Sequence, residues 1–300
     1  MFLILTSCIR EVSLEVGSVP QRLVVNAVLA AYSPIIVNVS GLQSILDTSL
    51  LFVDNATVII EEEGGHTDTL SYTTDGDYVT SIVSMPGRFY RLTVEAEGYP
   101  TAFSCDTVPF CVNIKYASKK ESVTVDEEGV PHNDFRVTFS PNADKVNYYE
   151  LFFMEQWMDE DSTYYFDFEA DAVGDDPLIQ AAGTTDYNSY TFLFSDAPVV
   201  ESEYTIALKM INCSTGGGKY SIPIITDRDN VDAAVLRTVS KAYYDYRSSW
   251  EKHQRYKNDS TMIEDLIYVP LIGEQEEMYS NIENGLGVFV AYNQDYYILN

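Results

Sequence analysis

The sequence predicts a mainly β protein: two antiparallel β-sandwich domains of immunoglobulin-like type, the second carrying one C-terminal α-helix. Three observations support this. Tyr alone supplies 23 of 300 residues and aromatics make up 13%, a composition that favours strands over helix bundles. Short runs of alternating apolar and polar residues recur between turn pairs such as Asp75-Gly76 and Pro86-Gly87. One stretch, Lys241–Lys257, has neither Gly nor Pro and spaces its aromatic residues as a helix does.

Residues 1–20 read as the remnant of a signal followed by a polar tether that ends at Pro20. The first sandwich is expected over 21–109. Its strands are Arg22–Ala30, Ile35–Ser40, Ala56–Glu62, Thr67–Thr73, Asp77–Val83 and Arg88–Glu97. The last of these sets Phe89, Tyr90, Leu92, Val94 and Ala96 against Arg91, Thr93, Glu95 and Glu97, so one face is buried and the other wet. Thr107-Val108-Pro109 marks the boundary. A larger sandwich is expected over 110–300, beginning with Val112–Tyr116, Ser122–Val125, Asp134–Ser140 and the long aromatic strand Val146–Trp157. Tyr164–Phe168, Tyr190–Phe194 and Tyr204–Ile211 continue it. Asp159-Glu160-Asp161, Asp175-Asp176-Pro177 and Gly216-Gly217-Gly218 read as solvated or flexible loops. Ser240 caps the helix, about 241–257. Tyr243, Tyr246 and Trp250 form its core-facing stripe, and Arg247, Glu251, Lys252 and Arg255 its wet face.

The charge narrows the function. With 18 basic and 46 acidic residues the chain carries −28, which excludes nucleic acid as a default partner and disfavours anionic lipid headgroups. No apolar run reaches the roughly 18 residues of a spanning helix. The run Leu5-Thr6-Ser7-Cys8 resembles the end of a bacterial lipoprotein signal: small residues admit a signal peptidase, and the Cys8 thiol takes the lipid. Acyl chains there would hold the protein on outer-membrane lipid. Cys105 and Cys111 bracket a short turn; an exported compartment would oxidise them if they meet, and they remain two thiols if they point apart. Cys213 reads as a small buried hydrophobe, and His66, His132 and His253 are too scattered for a zinc site.

Asp227, Asp229 and Asp232 have a spacing that Ca2+ can use, but Arg228 sits among them and no bidentate Glu follows, so a solvated loop is the favoured reading. Asp-Thr/Ser steps at Thr69, Thr107, Ser162 and Ser260 look like an O-glycosylation signal of exported proteins. Gly-x-Ser-x-Gly and His-Glu-x-x-His are absent, and paired carboxylates mean little among 46 acids. The chain is therefore expected not to be an enzyme, and no cofactor beyond Ca2+ is suggested.

Two stretches carry resemblances. Ala56–Pro100, with Asp-Gly-Asp-Tyr and Pro-Gly-Arg-Phe-Tyr-Arg-Leu-Thr-Val, resembles carboxypeptidase-regulatory and transthyretin-like sandwiches, which implies a fold and no chemistry. Ser240–His253 followed by Tyr279–Tyr292 resembles the domain-of-unknown-function 4249 family. Its motif is carried here by Ser280, Asn281, Ile282, Glu283, Gly285, Gly287 and Phe289. Asn284-Gly285-Leu286-Gly287 reads as a tight turn feeding the strand Val288–Tyr292. The resemblance implies an exported lipoprotein of Gram-negative bacteria, often encoded beside TonB-dependent outer-membrane transporters, with no catalytic residues to carry over. The expected function is thus a surface-exposed, lipid-anchored binding or accessory protein that works with such a transporter on an unknown nutrient. The alternative is a structural or adhesin-like envelope module without a small ligand.

Overall fold

The computed structural model describes residues 20–44, 51–125, 129–141, 145–158, 164–169, 172–173, 176–182, 191–211, 214–218, 231–261 and 277–299. Before Val108 lie β1 (Leu23–Ala30), β2 (Pro34–Gly41), β3 (Thr57–Glu62), β4 (His66–Thr69), β5 (Ser71–Tyr72), β6 (Asp77–Val83), β7 (Phe89–Glu95) and β8 (Ala102–Thr107). Then come β9 (Ile114–Val125), β10 (Pro131–Phe139), β11 (Tyr148–Met158), β12 (Tyr164–Glu169), β13 (Ala172–Val173), α1 (Pro177–Ala182), β14 (Phe192–Ser195), β15 (Tyr204–Ile211), β16 (Ser214–Gly218), β17 (Val231–Val239), α2 (Lys241–Thr261) and β18 (Leu286–Ile298). The chain is mainly β, as its composition predicts.

Among the described residues the largest sheet has ten strands, in the order β16-β12-β11-β17-β18-β1-β2-β6-β5, with β14 beside β11. Two four-stranded sheets, β4-β3-β7-β8 and β13-β15-β10-β9, complete the layers. One apolar core joins Leu23, Val25, Val37 and Tyr78 of the large sheet to Ile60, Tyr90 and Leu92. The other joins Tyr149, Leu151, Phe153 and Leu236 to Phe135, Phe139, Ile206 and Leu208. The period-two alternation read from sequence produces both, since each strand turns one face inward.

The last strand departs from an all-antiparallel reading. β18 runs parallel to β1, in the register Val24↔Leu286 to Ala30↔Tyr292, and antiparallel to β17 on its other side. It feeds Phe289 and Ala291 into the first core and turns Val288 and Val290 onto α2.

The segment before β18 locks this arrangement. The Asn281 amide donates to the Phe289 carbonyl at 2.7 Å and accepts from the Phe289 N–H at 2.9 Å, standing in for a strand neighbour. Glu283 exchanges two backbone hydrogen bonds with Phe103 on the edge of β8, and the Ser104 hydroxyl donates to the Asn281 carbonyl. Asn284 takes the left-handed conformation (φ 60°), as does Gly287 (φ 105°). A Cβ on Gly287 would lie 2.1 Å from the Val25 carbonyl oxygen, so the close approach of β18 to β1 requires glycine there.

Two expectations about helices change. The stretch Asp175-Asp176-Pro177 leads into a second helix, α1, and is not a solvated loop at its second residue. Asp176 is 5% exposed and accepts the Leu178 N–H at 2.9 Å, with Pro177 at the first helical position. The faces of α2 are also assigned differently. Arg247, expected in water, turns to the sheet with Tyr243 four residues before it, whereas Trp250 is 36% exposed. Ser240 does cap α2, accepting the Tyr243 N–H at 3.1 Å.

The reason is Glu150 on β11, buried beneath α2. Arg237 of β17 meets it at 2.9 Å, Arg247 of α2 at 3.1 Å, and the Tyr243 hydroxyl donates to it at 2.7 Å. Arg237 also stacks on the Phe152 and Tyr292 rings. Burial pushes the Glu150 carboxyl up, but the two guanidiniums and the Tyr243 hydroxyl outweigh it and leave it at about 2.

Two predictions follow from these contacts. Gly287→Ala should cost about 2–3 kcal/mol in urea denaturation, whereas Gly65→Ala, with a similar φ and open space around it, should cost about 1 kcal/mol. Glu150→Gln leaves Arg237 without its anion and Arg247 with only Glu251, at 3.7 Å, and should cost about 3–5 kcal/mol at pH 7. The Glu150 contribution is present above the unfolded carboxyl's value of 4.5 and is lost as pH falls through about 2, so wild type and variant should converge in acid.

Candidate binding cleft

The chain passes from the first core to the second through Val108–Asn113, and polar side chains of the large sheet hold this strap down. The Asn293 amide donates to the Pro109 carbonyl at 3.2 Å. The Val112 N–H donates to the Thr238 hydroxyl at 2.9 Å, and the Ile114 N–H to the Asp295 carboxylate at 2.8 Å. Thr238 and Asn293 are register partners on β17 and β18, so one pair of neighbouring strands fixes the strap. Phe110 leans over the Met85–Arg88 turn, its ring occupying the space beside Gly87, and is 67% exposed.

Between the strap and the second sandwich lies a cleft of about 350 Å³. Phe110, Cys111, Asn113 and Lys115 line it from the strap side, and Ser140, Lys145 and Asn147 from the other, with Val112 beneath. The Asn147 side of the cleft is rigid. Asp196 accepts the Asn147 N–H and amide, both at 2.7 Å, and the Tyr149 hydroxyl at 2.8 Å. Burial, and then the Asp295 carboxylate, push the Cys111 thiol up to about 11, so it is neutral at physiological pH and a poor nucleophile. Lys115 pairs with Glu203 at the surface.

At the start of the strap, Asp106 lies at the junction of β8, β18 and the α2 N-terminus. Its Oδ1 accepts the Thr107 N–H at 2.8 Å, and its Oδ2 is buried with no hydrogen-bond partner among the described residues. Burial pushes the carboxyl up to about 6, with the Thr107 N–H pulling the other way.

The other sequence-derived candidates do not converge on the cleft. Cys105 is exposed on β8 and Cys111 is half-buried in the strap, and both are free thiols. Asp232 pairs with Lys119 at 2.9 Å, while Asp227 and Asp229 lie outside the described residues. Among the described residues no group of three His, Cys, Asp or Glu side chains could hold a metal ion. Thr69 and Thr107 are exposed, Ser260 falls in the last turns of α2, and Cys8 and Ser162 lie outside the described residues. His132 is buried on β10. The residues that shape the cleft, Thr238, Asn293 and Asp295, carry no local motif. Their partners are 126 to 184 residues away, and only the pairing of β17 with β18 brings them together.

Residues 9–298 match the family described as domain of unknown function (DUF4249), and the chain belongs to that family. No curated protein matches the chain.

The junction carboxyl gives a pH test. The folded Asp106 value, about 6, lies above the unfolded value of 3.8, so its contribution is fully present below pH 4 and is lost as pH rises through 6. Asp106→Asn should therefore flatten the stability profile between pH 4 and 7. It should raise stability at pH 7.5 by about 1–2 kcal/mol, read from denaturation midpoints.

Proposed function

We propose that this protein is a non-catalytic binding or accessory component of the cell envelope, held on the outer membrane through an acylated Cys8 and acting with a TonB-dependent transporter in nutrient uptake. The observation that carries the binding role is the cleft beside the strap. It offers an exposed aromatic ring, two ammonium groups, amides, a hydroxyl and a thiol kept neutral at pH 7. Such a set can hold a ligand and has no evident means of turning one over. The envelope location rests on the Leu5–Cys8 run and on what its resemblance to lipoprotein signals implies.

Fatty-acid labelling in the native host tests the anchor. Labelled palmitate should enter the wild-type protein and not Cys8→Ser, which should move to the soluble fraction. Chemical cross-linking of wild-type membranes should recover a TonB-dependent transporter with it. Unlabelled wild type in the soluble fraction overturns the anchor, and recovery without a transporter overturns the partnership.

A further inference from the structure

We infer that the cleft beside the strap takes a small organic anion, its carboxylate between Lys115 and Lys145 and its apolar body against Phe110. The inference rests on the reading of the cleft as a binding site and names what that site selects.

Acids outnumber bases 46 to 18 along the chain. Yet among the described residues the cleft lining includes two lysines and no Asp or Glu, with Glu203 paired to one of the lysines from outside the lining. On a chain with so large an excess of acids, an anion at this cleft meets ammonium donors that can form charge-assisted hydrogen bonds. The Lys115 ammonium is held by Glu203 and offers its remaining N–H donors, whereas Lys145 is exposed and brings the larger share of the positive charge. Asn113 and Ser140 add neutral donors from opposite sides.

The rest of the lining sets the other half of the ligand. Phe110 is 67% exposed although it is an apolar ring next to a concave surface, and Val112 and the neutral Cys111 thiol sit beside it. A large exposed ring at the mouth of a cleft recovers its burial when an apolar group covers it. The volume, about 350 Å³, is at the small end of ligand sites and suits a single acyl-amino-acid-sized molecule rather than a long oligomer. A free organic acid and the C-terminal residue of a peptide share this chemistry, a carboxylate next to an apolar group.

Titration calorimetry on the full chain separates the outcomes, with N-acetyl-phenylalanine, its amide, and a tetrapeptide ending in Phe with a free C-terminus as probes. The acid should bind, the amide at least about tenfold more weakly, and the affinity for the acid should fall as salt rises. Lys145→Gln, at an exposed position, should weaken the acid about tenfold at unchanged thermal midpoint and leave the amide unaffected. Phe110→Ala should weaken both. Binding of the acid without the tetrapeptide identifies a free metabolite as the source, and binding of both admits peptide termini. If acid and amide bind equally, or Lys145→Gln leaves the acid unchanged, anion selection is wrong while the binding site stands. If none of the probes binds at millimolar concentration, both readings of the cleft fall.

Discussion

The parallel ladder between Leu23–Ala30 and Leu286–Ile298 is the constraint on which the molecule depends. It joins segments from near the two ends of the sequence, and through β17 it makes one continuous sheet of what would otherwise be two. Each apolar core is built on a different part of that sheet. Parallel strands are usually joined by a covered crossover, and here the connection is most of the protein. The close approach is possible because Gly287 has no side chain and Asn281 supplies the hydrogen bonds that a neighbouring strand would otherwise supply. The strap follows from the same pairing, since Asn293 and Asp295 lie further along the same strand. The cleft therefore inherits its shape from a contact made elsewhere.

A second economy governs the charges. An acidic chain repels itself, and its few guanidinium groups are the residues best able to offset that repulsion in partly buried places. Two of them converge on Glu150 and dock α2 on the sheet. Their planar donors reach Gln294 and Thr191 as well, so the cluster specifies the angle and position of the helix in addition to neutralising a carboxylate. A lysine could not make these contacts together, because its single ammonium cannot span them.

Much of the fold was legible in the residues. Alternation located most strands, and the run from Asn284 to Gly287 was readable as a turn feeding a strand, because positive φ leaves a signature in residue type. The stripe on α2 was not. Hydrophobicity alone puts Arg247 in water, and only a buried acid on a strand about a hundred residues earlier reverses that. Asp176 was hidden for a related reason: a buried carboxylate that caps a helix and accepts the Ala207 N–H and the Tyr204 hydroxyl looks, in sequence, like any other acid in a loop. The parallel pairing left no local trace, since register between distant strands is set by the fold and not by neighbours. The cleft was illegible for that reason, whereas the family motif was conspicuous because its asparagines and glycines are geometrically irreplaceable.

The ladder between the first strand and the last has a consequence for how the polypeptide is made. Ribosomes deliver β1 about 260 residues before its partner, so the hydrogen-bonding edge that β18 will occupy stays open while the intervening chain is made. A nascent chain in this condition cannot seal its first core, because Phe289 and Ala291 of β18 belong to it. Pairing of β18, rather than completion of any single sandwich, is then the event that commits the molecule to its native form, and a chain cut short before Leu286 would carry an exposed strand edge and a strong tendency to aggregate.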